Sequence, residues 1–165
     1  MSTTNSTIEF STDTYEAIVA HAHEGAPREV CGVLGGERNR SEDGTNDALD
    51  ADEECNPATR VRSVRRAENV ARSPRRTYLI DPEKQLAIME SIEASGNEVV
   101  GFYHSHPEGP AGPSATDSAQ ATWPGQSYVI VSLEDTPDKS EGEAASLGSW
   151  RWTGEEFVEE SVRVE

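Results

Sequence analysis

Residues 98 to 117 read Glu-Val-Val-Gly-Phe-Tyr-His-Ser-His-Pro-Glu-Gly-Pro-Ala-Gly-Pro-Ser-Ala-Thr-Asp. From Glu98 to Tyr103 the run is apolar, β-branched and aromatic, the composition of a buried strand. It leads straight into His104-Ser105-His106, and Pro107 ends it by withholding a backbone donor. Residues two apart on a strand face the same way, so both imidazoles aim at one point. A loop rich in Gly and Pro follows (Gly109, Pro110, Gly112, Pro113), and it can carry Asp117 back over the histidines. Two imidazoles and a carboxylate form a three-ligand set for Zn²⁺, with the fourth position left to water. Ser114, three residues before Asp117, also fits a capping-box-like helix start. The two readings are compatible, because one residue can open the helix and face the metal.

Working back from this stretch, Glu29 to Gly36 reads as an earlier strand. Alternation places Glu29, Cys31 and Val33 on one face, with Val30 and Leu34 on the other. A glutamate here is either solvated at an exposed strand start or kept for chemistry. Residue type alone does not choose between them.

Together, His104-Ser105-His106-Pro107, Ser114 and Asp117 resemble the signature of the JAMM/MPN+ metalloproteases. The stretch Pro27-Arg28-Glu29-Val30-Cys31-Gly32, running on to Gly36, resembles the upstream glutamate segment of the same family. The likeness extends over about residues 8 to 135. It implies an α/β fold with a mixed, mainly antiparallel sheet and flanking helices, the JAB/MPN (cytidine-deaminase-like) arrangement. It also implies a zinc isopeptidase with one Zn²⁺ per chain, held by His104, His106 and Asp117. Glu29 is then the general base, and Ser114 donates to the tetrahedral oxyanion. Ser105 faces away from the histidines and is structural. The implied partners are ubiquitin-like small archaeal modifiers with Gly-Gly tails, removed from lysines. Trimming the C-terminus of sulfur-carrier proteins is an open alternative, as is a non-catalytic MPN-type binding scaffold. Base deaminases need HxE together with PCxxC, and PCxxC is absent from the sequence.

The charge is extreme for 165 residues: 31 acidic against 14 basic, a net of −17. Apart from Lys84 and Lys139 the basic residues are arginines. One reading is a halophile's surface, since at molar salt the Debye length is about 3 Å and self-repulsion is screened. The same charge argues against nucleic acid and anionic membranes as partners. Seven arginines do cluster from Arg60 to Arg76, where they either meet an acidic partner or balance the acidic stretch before them. The first residues lack the basic and apolar segments of a secretion signal, and no apolar run reaches membrane length. A cytoplasmic protein is expected. Cys31 lies in an apolar strand and Cys55 in an acidic loop, with no paired spacing. One bond between them stays open, as does the oligomeric state.

The remaining pattern completes a single domain over residues 1–165, large enough to bury a core. A polar tail over 1–6 precedes a short strand at Ile8 to Phe10. A helix capped by Ser11 or Thr12 runs to about His23 and presents Tyr15, Ile18 and Val19 on one face. His21 and His23 diverge on that helix and read as surface residues. Acidic loops are expected over 37–57 and 134–146, and strands over Arg60 to Arg66 and Tyr78 to Ile80. Asp81-Pro82 starts a helix that buries Leu86, Ile88, Met89 and Ile92 and ends at Gly96. The helix from Ser114 stops before Trp123. A strand over Ser127 to Leu133 follows, then a hairpin of 147–153 with 157–164.

Overall fold

A strand that is apolar along its whole length must be covered on both faces and paired on both edges. Strand β4 (Glu98–His106) meets each condition in the computed structural model of the chain, which describes residues 6–38, 58–107, 112–114, 117–118, 121–133 and 146–165. Every β4 residue after Glu98 is buried. On one edge β4 pairs antiparallel with β2 (Cys31–Arg38), and on the other parallel with β5 (Ser127–Ser132). The β2–β4 register shifts at Leu34/Gly35, where Gly101 and Val99 are the successive partners and Val100 is the extra residue. This bulge resets the alternation. Val100 and Tyr103 enter one apolar cluster, while Val99 and Phe102 enter the other.

Each cluster receives one helix. Helix α1 (Thr12–Gly25) is capped by the Ser11 side chain, which accepts from Thr14 N at 3.1 Å. Its Ile18 and Ala22 pack with Ile8, Phe10, Leu34 and Tyr103. Helix α2 (Pro82–Ala94) is capped by Asp81, has proline in its first turn, and packs Ile92 with Val33, Val99 and Phe102. Gly96 follows it with φ +97, a conformation that favours glycine.

The full strand order is β1-β3-β2-β4-β5-β6-β7, closed into a barrel. The four-residue β1 (Thr7–Phe10) runs parallel to both β3 (Ala58–Ala67) and β7 (Phe157–Val164). Strand β6 (Ser146–Trp152) forms the expected hairpin with β7. The sheet is mixed as expected, with parallel β1–β3, β1–β7 and β4–β5 and antiparallel pairing elsewhere. A closed barrel replaces the expected flanked sheet. The reason is that β1 uses both of its edges, which nothing in its short sequence declares.

Several boundaries move. Strand β2 begins at Cys31 and not Glu29, and Glu37 and Arg38 belong to it and not to the acidic loop. Ser6 is buried and bonds Glu160 Oε2 at 3.2 Å, so it is part of the barrel and not of the tail. Ser146 starts β6. Tyr78 to Ile80 is not a strand, because Leu79 N bonds the Asn69 side chain at 3.0 Å instead of a ladder partner. Leu86 is 57% exposed and so leaves the expected core face of α2. His21 is not a solvated surface residue: its Nδ1 lies 2.7 Å from Tyr103 Oη, and burial beside Arg66 lowers its pKa to about 4. Cys55 and the rest of the acidic loops lie outside the described residues.

Parallel pairing of β4 with β5 requires a close backbone approach at Gly101. A β-carbon there would stand 2.3 Å from the carbonyl oxygen of Ser127. Gly101→Ala is expected to cost about 3 kcal/mol in urea unfolding, the range of core overpacking. Gly112→Ala, which meets open space, should stay within about 0.5 kcal/mol of wild type.

Candidate metal centre

Past the bulge, Phe102, His104 and His106 share the face of β4 toward α2, while Tyr103 and Ser105 share the other. His104 is 1% exposed and His106 9%. Their Nε2 atoms lie 3.2 Å apart. Asp117 completes the triangle, with Oδ1 3.2 Å from His104 Nε2 and Oδ2 3.2 Å from His106 Nε2. Ligands of a small tetrahedral dication, bound at about 2.0 Å, lie about 3.3 Å from one another. The three edges match that spacing, and nitrogen–nitrogen–oxygen is a donor set that such an ion accepts. Among the described residues His104, His106 and Asp117 are the group that could hold a metal ion.

Ser114 and Asp117 form the reciprocal contact expected of a helix start. Asp117 N donates to Ser114 Oγ at 3.0 Å, and Ser114 N donates to Asp117 Oδ2 at 2.9 Å. Ser118 N also reaches Ser114 O at 3.0 Å, so the first turn forms. The remainder of the expected helix falls mostly outside the described residues. Ser114 thus fixes Asp117 while remaining exposed itself. Burial opposes ionisation of Asp117, yet the two histidines and Ser114 N hold its carboxyl far below the usual range. Burial likewise lowers the pKa of His104, against the pull of Asp117, so its imidazole is neutral and ready to ligate.

Glu29 arrives from the end of β2. It is 6% exposed, which rules out the solvated strand start. Its Oε1 is buried and has no hydrogen-bond partner among the described residues. Burial pushes its carboxyl up to about 7, with His106 pulling it down and Asp117 pushing it further up. The base candidate is therefore within electrostatic reach of the metal ligands without joining them. Cys31, the partner of His104 across β2–β4, is free, and burial raises its thiol to about 12, so it is inert packing.

The family model described as prokaryotic homologs of the JAB domain matches residues 11–152. The chain belongs to this JAB family. Desampylase from Haloferax volcanii is 41% identical over 166 residues, covering 98% of this chain and 99% of that one. The CysO-cysteine peptidase of Mycobacterium bovis is 35% identical, covering 92% and 87%. Among solved structures, a protein of Desulfitobacterium hafniense superposes with a TM-score of 0.72 at 28% identity, covering 96% of this chain and 92% of that one.

Three residues that the sequence reading missed, or gave no part in the site, support this JAB centre. Ser105 accepts from Val30 N at 2.8 Å through its Oγ and donates its own N–H to Val30 O at 3.0 Å. It thereby ties the Glu29 segment to the histidine strand. Asn69 makes four bonds: Nδ2 to Glu29 O at 2.9 Å and Thr77 O at 3.0 Å, and Oδ1 from Ala71 N and Leu79 N at 3.0 Å each. Tyr78 is stacked on His104, with ring centroids 4.4 Å apart and planes at 23°. His104 Nδ1 has no hydrogen-bond partner among the described residues, so the stack holds the ring where an acceptor bonded to that nitrogen often does. A lone Asn and an aromatic in an apolar triplet carry no periodic signal, which is why the sequence hid them. Beyond Tyr78 opens an apolar cleft of about 540 Å³, walled by Leu79, Leu86, Met89, Phe102 and Trp123.

The raised carboxyl of Glu29 gives a stability test on metal-free protein. Unfolded, the group titrates near 4.5; folded, near 7. The folded state thus binds the extra proton between these values, and stability is lost as pH rises from the first to the second. Metal-free Glu29→Gln should melt above wild type at pH 8, and the gap should close as pH falls to about 4.5. An equal gap at both pH values would show that Glu29 ionises without penalty.

Proposed function

We propose that the protein is a zinc-dependent isopeptidase that removes ubiquitin-like modifiers from lysine side chains. One observation carries the reading: three metal-ligand atoms 3.2 Å apart, with the buried carboxyl of Glu29 nearby, whose Oε1 has no hydrogen-bond partner among the described residues. The near full-length likeness to a desampylase supports the substrate class.

In this reading His104, His106 and Asp117 hold one zinc ion. Zinc supplies Lewis acidity and makes water a nucleophile near neutral pH. Glu29 accepts the proton of the attacking water and delivers it to the departing lysine amine. A group that titrates near neutrality suits both halves of that transfer. Ser114 Oγ accepts from Asp117 N and keeps its own proton for an outside acceptor, the carbonyl oxygen of the scissile bond. The bond enters as the C-terminus of a Gly-Gly tail. A second reading is cleavage at the C-terminus of a sulfur-carrier protein; the likeness to a CysO-cysteine peptidase, at 35% identity, gives it weaker support than the desampylase gives the first.

Metal analysis and conjugate cleavage on the same samples test the roles. His104→Ala and Asp117→Ala are expected to lose zinc and activity together. Glu29→Gln should keep zinc near one per chain while turnover falls by about 10² or more. Wild-type turnover in Glu29→Gln would place the base elsewhere, and zinc loss would make Glu29 a ligand.

The net charge of −17 supports a salt-adapted surface. Between about 0.1 and 2 M KCl the thermal midpoint should rise, since the Debye length shortens from about 10 Å toward 3 Å. An unchanged midpoint would reject this habitat.

A further inference from the structure

The arginine cluster from Arg60 to Arg76 divides into two groups. Arg60 pairs with Glu9 at 3.2 Å, Arg62 with Glu37 at 2.7 Å and Arg66 with Glu24 at 2.9 Å. Arg65 reaches Ser91 Oγ at 2.8 Å. These four tie β3 to β1, β2, α1 and α2, and this structural pairing explains them. Arg72, Arg75 and Arg76 are all exposed, and none has a side-chain partner among the described residues. Three free guanidinium groups within five residues run against the character of a chain with 31 carboxylates.

Their placement is specific. Arg76 N and Thr77 N both donate to Ser73 O, at 2.9 and 3.0 Å, which folds residues 73–77 into a tight turn. The carbonyl of Pro74, in the middle of that turn, accepts from Glu29 N at 2.7 Å. Arg75 is thus covalently next to the residue that touches the base. The turn is also held from below by Asn69, through Thr77 O and Leu79 N. The arginines are therefore presented on a rigid arm at the rim of the cleavage site, where little backbone order remains to be lost on binding.

We propose that the turn bearing Arg72, Arg75 and Arg76 docks an acidic face of the modifier protein whose tail enters the site. The proposal rests on the isopeptidase reading and names what selects its substrate. Carboxylates match the planar fork of arginine in bidentate pairs. The substrate at Glu29 is a polypeptide, so the surface beside it meets protein first.

The test compares wild type with the triple charge reversal Arg72→Glu, Arg75→Glu, Arg76→Glu and with the triple lysine variant, each checked for folding by circular dichroism at the same salt. Two substrates are used: a strongly acidic Gly-Gly-tailed ubiquitin-like modifier joined to lysine, and a Gly-Gly dipeptide joined to lysine. Charge reversal should raise KM for the modifier conjugate by about tenfold or more, leave its kcat, and leave dipeptide cleavage unchanged. The lysine variant should retain at least part of the affinity. Binding of the free modifier, followed by fluorescence anisotropy, should weaken in parallel, and should weaken for wild type when the modifier's surface carboxylates are changed to amides. Unchanged KM and binding would overturn the proposal, as would an equal loss on both substrates, which would make the turn a scaffold only. Arginine-dependent binding of a DNA or RNA oligonucleotide in place of the modifier would overturn it too, and so would a dimer that the charge reversal splits. If no substrate is cleaved while arginine-dependent modifier binding persists, the isopeptidase reading fails and the docking surface stands.

Discussion

Two hydrogen bonds between Val30 and Ser105, at 2.8 and 3.0 Å, join parts of the chain 75 residues apart. On one side of this clasp Glu29 precedes Val30, and on the other His104 and His106 flank Ser105. The clasp continues the β2–β4 ladder by one step, beyond the pairing of Cys31 with His104. Neither the acid nor the imidazoles could be held to a fraction of an ångström by loops alone. Here one backbone bond and the Ser105 hydroxyl do it together. Glu29 is placed by the barrel, and its environment then follows from burial.

The remaining ligand comes from a loop, and its placement uses a different device. Asp117 is aimed by a helix-start contact with Ser114 that satisfies two backbone N–H groups and the carboxylate at once. The two readings weighed for this pair, cap and site, are compatible in this arrangement. A carboxylate already ionised and hydrogen-bonded needs little rearrangement to meet a cation.

The geometry of the His-His-Asp group was legible because it depends on short-range rules. Two histidines at a strand end must share a face, and the bulge at Val100 lies upstream and leaves that parity intact. The JAB architecture followed from the two motifs together. What stayed hidden depends on contacts between distant segments. Closure through β1 needs both β3 and β7, and four residues cannot announce two partners. Tyr78 and Leu79 have strand composition, yet Asn69 captures their backbone before any strand can. Leu86 has the period of a core position, but it faces the apolar cleft, while Ile92 is buried and Ile88 and Met89 are partly buried against the core.

The double pairing of β1 also sets an order of events. Thr7 is matched with Ala58 on one side and Ser161 on the other, a span of 154 residues between Thr7 and its second partner. During synthesis, His104, His106 and Asp117 all leave the ribosome before the strand that closes the barrel. Until β7 arrives, β1 and β6 each present an open edge with unpaired N–H and C=O groups. Contacts of such long separation are the slow ones to form, because loop closure must precede any gain from pairing. The nascent protein therefore passes through a stage in which its chemistry is encoded and present but its sheet is still adhesive.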